Sequence, residues 1–345
     1  MVHSLDPFLW QISGNFGIRW YGLSYLTGFV MAYMIILWMA RRRISPLPEA
    51  FVADFITYVA FGTLIGGRLG YVIFYSPDML WKFSSSFPFW GVFAVNEGGM
   101  ASHGGILGVM VATLLFASKY HVNKLHLLDL VSLTGPLGLF FGRIANFING
   151  ELVGRPCDPS FPLSIKFPQD ISHWTANEPQ RVPELGAVAE KIGVTPTQWA
   201  DLMEKFRFDS AARTQVDEIM NKIVEAIQNG NEAAKEAIAP LLTARHPSQL
   251  YQGLGEGLLV FLFLFFLWRK PRHPGFIGSV FVMSYALMRI IGEEFRMPDY
   301  QIGFQWLGLT RGQWLSVAMF VIGIGCYIYT ASVRGLPLGG WKRDS

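Results

Sequence analysis

Seven apolar stretches, each about 20 residues long and so matched to the hydrocarbon thickness of a bilayer, dominate this chain. They run over roughly 18–40, 51–75, 103–119, 126–148, 248–268, 275–296 and 313–332. Of the 345 residues, 51% are hydrophobic and only 15% charged, which sets the chain apart from ordinary soluble domains. The sequence therefore reads as all-α: a polytopic membrane protein with about seven transmembrane helices and an external head segment. Three stretches are expected in order. Residues 1–151 hold the first four helices, 152–246 the head, and 247–345 the last three helices with the C-terminus.

Basic clusters orient these spans. Arg41, Arg42 and Arg43 follow the first, Lys119 and Lys124 the third, Arg269, Lys270 and Arg272 the fifth, and Arg334, Lys342 and Arg343 the seventh. Cytoplasmic loops carry the excess of Lys and Arg, so the N-terminus is expected outside and the C-terminus in the cytoplasm. The formal net charge of +3 comes largely from these clusters and calls for no nucleic acid. No charged n-region or small-residue cleavage site precedes the first apolar run, so a cleaved signal peptide is not expected. Cys157 and Cys326 read as free structural thiols.

The head has soluble character. Residues 155–185 are rich in proline and read as irregular, while 196–242 reads as two helices. Thr195-Pro196-Thr197 opens the first, with Trp199, Leu202, Met203 and Phe206 at helical spacing. Ile219, Ile223 and Ile227 form the apolar stripe of the second, which ends at Asn229-Gly230. A packing lid and a gate to a membrane site are both open readings of this segment.

The apolar spans also carry residues that do not belong in lipid. An ionised side chain at the bilayer centre costs about 2.5–3.5 kcal/mol on insertion scales, so its presence marks function or a pairing partner. Gly66-Gly67-Arg68 and Tyr71 lie in the second span, and His103 stands before Gly104-Gly105 at the start of the third. Arg143, Asn146 and Gly150 share a helical face beside Glu151, and Tyr285, Arg289, Glu293 and Arg296 share another in the sixth span. Bland readings stand beside these: glycine pairs permit close helix packing, Arg289 and Glu293 lock two helices, and Tyr21 and Tyr71 anchor at the interface. The histidines lack metal-ligand spacing, so no metal and no cofactor is expected. Surplus arginine in a water-poor site favours an anion, and guanidinium matches phosphate bidentately. A ligand with a phosphate and an apolar body is a phospholipid.

The run from Gly142 to Arg155, GRIANFINGELVGR, resembles the signature of the prolipoprotein diacylglyceryl transferase family. So do Trp20-Tyr21-Gly22-Leu23, Gly67-Arg68-Leu69-Gly70-Tyr71, the run 98–105, Arg245-His246-Pro247-Ser248-Gln249-Leu250-Tyr251, and the run 289–296. The resemblance implies seven membrane helices with the N-terminus outside, in a bacterial inner membrane. It also implies transfer of diacylglyceryl from phosphatidylglycerol to the lipobox cysteine of a prolipoprotein signal peptide, with release of glycerol phosphate. Carried over by position, Arg143 would bind the lipid phosphate, with Asn146, Glu151 and Gly154 completing that site. His103, Tyr285 and Arg289 would be catalytic or positioning residues, Glu293 would stand near Arg289, and Tyr21 would lie close by. Two departures are an insertion around 170–240 and Gln252 where an acid is common.

The chemistry asks for a base, because a thiol with a pKa near 8.5 is only a few per cent thiolate at neutral pH. His103 is the expected base or orienting group for the thiol, and Arg143 and Arg289 the expected phosphate holders; an arginine remains the other candidate for thiol activation. Asn149 and Arg155 have only helix capping or loop anchoring as expected roles. A phospholipid transporter or flippase is the competing class, although the hydropathy shows no inverted repeat. A seven-helix receptor with 152–246 as sensor is the third, with short inner loops against it.

Overall fold

In hydrocarbon the backbone must satisfy its own hydrogen bonds, and this chain does so with helices. The computed structural model describes residues 1–13, 16–85, 88–94, 98–297, 305–333 and 336–341, and among them seven helices are long and apolar enough to cross a membrane. The first four are α1 (Trp20–Arg41), α2 (Val52–Phe74), α3 (Ser102–Tyr120) and α4 (Lys124–Asn149). Between α4 and the fifth span lie the short helices α5 (Trp174–Asn177), α6 (Gly186–Glu190), α7 (Pro196–Lys205), α8 (Ser210–Gln228) and α9 (Glu232–Ile238). The fifth span, Ser248–Leu267, is α10 (Ser248–Gln252), a π-helical segment at Gly253–Leu259, and α11 (Val260–Leu267). Helices α12 (Phe276–Glu293) and α13 (Arg311–Ser332) complete the set. The seven expected spans thus fall on helices within a few residues. The basic residues Arg334, Lys342 and Arg343 lie outside the described residues.

The chain divides into two units. A head unit comprises Met1–Ser24, Phe140–Gly255 and Met288–Trp314; a helical unit comprises Tyr25–Leu139, Glu256–Leu287 and Leu315–Ser345.

In the helical unit, α2 and α3 meet along a glycine seam. A Cβ on Gly62 would stand 2.5 Å from the Gly108 carbonyl oxygen, and one on Gly70 2.7 Å from Gly104 Cα. Gly66 and Gly104 face each other just as closely. The packing reading therefore holds for Gly66, by the small-residue logic that lets membrane helices approach at backbone distance. Elsewhere in this unit, the Asp129 carboxylate of α4 accepts from Gly275 N and Gly278 N, both at 2.7 Å, and so satisfies two orphan donors at the start of α12.

The head unit has its own apolar core, with Met220, Ile223 and Ile227 of α8 packed among Trp199, Val188 and Ile238. Thr195 caps α7 through a full capping box with Gln198, the start expected from sequence. The Ile223–Ile227 stripe is buried as expected, and α8 ends at Asn229-Gly230, where Gly230 takes φ +87°. The expectation of two helices over 196–242 is corrected to three. Asn231 restarts the chain by accepting from Ala234 N at 3.0 Å, and α9 follows. The proline-rich part is not wholly irregular, for Pro168 and Pro179 each open a 3-10 turn. Two strands, β1 (Phe8–Ser13) and β2 (Phe16–Arg19), form an antiparallel hairpin directly before α1. A second small antiparallel pair joins β3 (Ile165–Lys166) to β4 (Ala244–Arg245), and so ties the two ends of the head together.

The seam gives a direct test. Gly108→Val would drive a branched side chain into the Gly62 carbonyl, and overpacking of this kind costs about 1–3 kcal/mol. A lowered thermal midpoint of the purified protein in detergent is expected, and a midpoint at the parent value would show that the seam has slack.

Candidate active site

The signature segment builds its site at the end of α4. Asn146 is buried and donates through Nδ2 to the Tyr21 hydroxyl at 2.6 Å and to Glu151 Oε2 at 3.3 Å. Asn149 donates to the other Glu151 oxygen at 3.3 Å, and Glu151 N returns to Asn146 O at 2.9 Å. Tyr21, 125 residues away from Asn146, therefore joins Asn146 and Glu151 in one hydrogen-bonded network. Asn149 supports the carboxylate rather than capping the helix. Arg143 is half-buried one turn before Asn146. The π-helical segment begins against it: a Cβ on Gly253 would lie 3.2 Å from Arg143 Cβ. Gly150 does not share the helical face of Arg143 and Asn146 as expected. It takes φ +68°, just past the end of α4, and packs on the Gln169 side chain.

Leu152 follows at φ +54°. A left-handed backbone costs a branched residue about 1–2 kcal/mol, so the loop is held in a strained path. Gly154 then makes an antiparallel bridge to Arg296. With no side chain, its backbone can make a close crossing here. A Cβ there would collide with the His246 carbonyl and stand 2.9 Å from Phe295 O.

The second group of site residues sits at the end of α12 in the same unit. Arg289 pairs with Glu293 at 3.1 Å, and Arg296 stands 4.0 Å from the same carboxylate. Glu293 also accepts from the Thr310 hydroxyl at 3.3 Å. Arg296 is not on the helical face expected for it, because α12 stops at Glu293 and the next residues turn to pair with the signature loop. Arg155 fixes this turn: its Nε donates to Arg296 O at 3.0 Å and its Nη2 to Glu293 O at 3.3 Å, while Phe295 O accepts from Arg155 N at 2.8 Å. Of the two roles expected for Arg155, loop anchoring is the one found.

The helical unit contains the remaining expected residues. His103 is the second residue of α3 and is exposed; Tyr285 is half-buried in α12 with its ring 5.8 Å from Phe281. Arg68, counted among the surplus arginines, proves to be occupied. Buried in α2, it donates to the carbonyls of Val92 at 2.8 Å, Gly91 at 2.7 Å, Gly98 at 2.5 Å and Gly99 at 3.1 Å. It pins the loop that precedes α3.

Sequence reasoning missed several residues around the signature loop. Arg245 is buried and paired with Asp170 at 2.5 Å. Burial raises the Asp170 carboxyl above the usual range, and the Arg245 charge opposes that rise. Ser248 and Gln249 are fully buried beside the loop. In the helical unit, Glu256 of the π-helical segment is fully buried as well. The run 245–251 stood out in the sequence, but nothing in it named the groups its side chains meet.

Seven spanning helices bearing this polar network define a multi-pass membrane protein. The sequence model of the prolipoprotein diacylglyceryl transferase family matches residues 7–329. The chain is 63% identical over 343 residues to the phosphatidylglycerol–prolipoprotein diacylglyceryl transferase of Bdellovibrio bacteriovorus, covering 99% of this chain and 97% of that one. It is 36% identical over 338 residues to the protein so named in Ralstonia pickettii, covering 96% and 95% of the two chains. With that of Rhodospirillum rubrum it shares 34% over 343 residues, covering 98% and 97%. The chain belongs to the prolipoprotein diacylglyceryl transferase family.

Gly154 carries the first test of the site geometry. Gly154→Ala should cost about 1–3 kcal/mol of stability, because neither of the two carbonyls it meets belongs to a flexible side chain. An unfolding midpoint in detergent equal to that of the parent would contradict the close crossing.

Proposed function

We infer that this chain transfers the diacylglyceryl group of phosphatidylglycerol to a cysteine thiol of prolipoproteins. The observation that carries the reading is the family match along residues 7–329, together with a 63%-identical relative named for this reaction. The transporter alternative draws no support from the relatives, which carry the transferase name. The acceptor is the lipobox cysteine of a signal peptide. Its sulfur attacks the glyceryl carbon that bears the phosphate. A carbon–sulfur bond forms as the carbon–oxygen bond breaks, and the oxygen leaves with the electron pair as glycerol phosphate. The thiol proton passes to a base.

In this reading Arg143 and Arg289 hold the phosphate and stabilise the charge that develops on the leaving oxygen, the task for which preorganised donors are most effective. Glu293 fixes Arg289 by the 3.1 Å pair. Asn146, Glu151 and Gly154 complete the phosphate site with Tyr21 close by, a reading supported by the hydrogen bonds of Asn146 to Tyr21 and Glu151. His103 deprotonates or orients the thiol, and Tyr285 is a further catalytic or positioning residue; histidine suits a proton transfer near neutral pH. The protein works in the bacterial inner membrane, with the segment 152–246 outside. The basic clusters at Arg41–Arg43 and Arg269–Arg272 support that orientation.

Incubation of the purified protein with phosphatidylglycerol vesicles and a lipobox peptide tests the reading. Mass spectrometry should show the peptide gaining one diacylglyceryl group; lipid movement with an unmodified peptide would point to a transporter. Arg143→Lys keeps the charge but loses the fork, and loss of a preorganised donor is worth about 10²–10³ in kcat. Turnover unchanged by that substitution would remove Arg143 from the phosphate site. His103→Gln should abolish peptide modification while vesicle lipid still binds, and near-normal turnover would reassign the base.

A further inference from the structure

The buried run from Arg245, the last residue of β4, to Gln249 takes up the backbone of the signature loop almost residue by residue. Gln249 Nε2 donates to Glu151 O at 2.6 Å, Ser248 Oγ to Leu152 O at 3.0 Å, and Arg245 Nη1 to Gly154 O at 3.2 Å. Between the last two, His246 N donates to Arg155 O at 3.0 Å. The donors belong to a segment more than ninety residues away from the loop, with separations of 98, 96 and 91 residues. Arg245 is 4% exposed, and Ser248 and Gln249 are completely covered.

What these donors hold is a path the loop would not choose. Gly150 and Leu152 are both left-handed, at φ +68° and +54°. Strained backbone of this kind persists only where the surroundings over-determine it, and it clusters where function needs a fixed geometry. Glu151 stands between the two. Its carbonyl is fixed by Gln249 while its carboxylate meets Asn146 and Asn149. Release of the carbonyl would free the loop to relax and swing the carboxylate away from Asn146. Arg245 in turn is held by Asp170, which follows Pro168 in the head segment.

We propose that Arg245, Ser248 and Gln249 are positioning residues of the transferase: a clamp that holds loop 150–154 in its strained path so that Glu151 stays docked on Asn146, which in turn holds the Tyr21 hydroxyl. The clamp acts through Glu151 and touches no substrate itself. Asp170 anchors it, so the register of the signature loop depends on the folding of the external segment. The proposal rests on the transferase reading above.

The test is a double-mutant cycle in the peptide-modification assay, with the full chain in phosphatidylglycerol vesicles. Gln249→Met keeps the side-chain volume and deletes the donor; Glu151→Gln deletes the charge it positions. Loss of one buried hydrogen bond should lower kcat/KM by about tenfold in the parent background. In the Glu151→Gln background the same substitution should cost less than about threefold, because coupled residues are non-additive. Equal losses in both backgrounds, or no loss in the parent, would overturn the clamp. Should Gln249→Met not yield folded protein, Ser248 decides. Ser248→Ala should lower kcat/KM with an unshifted lipid-binding midpoint, and Ser248→Thr, which retains the hydroxyl, should restore it. Equal activity of the Ala and Thr variants would refute the proposal. The parent protein is its own control: an unmodified peptide there refutes the transferase reading, whereas an active parent with unaffected variants refutes only the clamp.

Discussion

A guanidinium group withdrawn from water needs acceptors around it, and the position of those acceptors decides what each arginine of this protein does. Arg68 is ringed by carbonyls of the loop before α3, and Arg155 by carbonyls at the end of α12. Arg245 bridges a carboxylate and a carbonyl. These side chains use a charge to hold backbone carbonyls of loops and helix ends. Arg289 and Arg296 instead face the carboxylate of Glu293. The polar inventory of the spans therefore serves two ends, stapling loops at the helix ends and assembling a charged site. Residue type alone does not tell the two apart.

This explains which parts were readable in the sequence. The spans were readable because length and apolarity are local properties, and the seven helices fall where the apolar blocks do. The start of α7 was readable because Thr195, Pro196 and Gln198 carry the whole cap within four residues. The role of Arg68 was not readable, since its partners are the carbonyls of Gly91, Val92, Gly98 and Gly99, reached through the fold. Arg296 was assigned to the face of a helix that ends three residues earlier, because the strand-like bridge to Gly154 overrides the helical spacing. The restart at Asn231 was hidden by an apolar stripe that had already ended at Gly230.

For the candidate site, the sequence singles out residues by charge and chemical type but not those that hold them. Tyr21, Asn146 and Glu151 are joined by hydrogen bonds through Asn146. Gly154 illustrates the opposite case. Its place in the signature implied a part in binding, and nothing in the sequence announced the close crossing of two backbones found there.

The glycine seam between α2 and α3 has a consequence for His103, which directly precedes one of its members. Gly104 rests on Gly66 and Gly70, and Gly108 on Gly62 and Gly66. A slide of α3 by a single residue would thrust the side chains of His103 and Leu107, or in the other direction that of Val109, against the backbone of α2. The seam thus acts as a vernier with one permitted setting. The imidazole is indexed along the membrane normal by contacts between main chains, which neither melt into alternative rotamers nor repack around a bulky lipid tail.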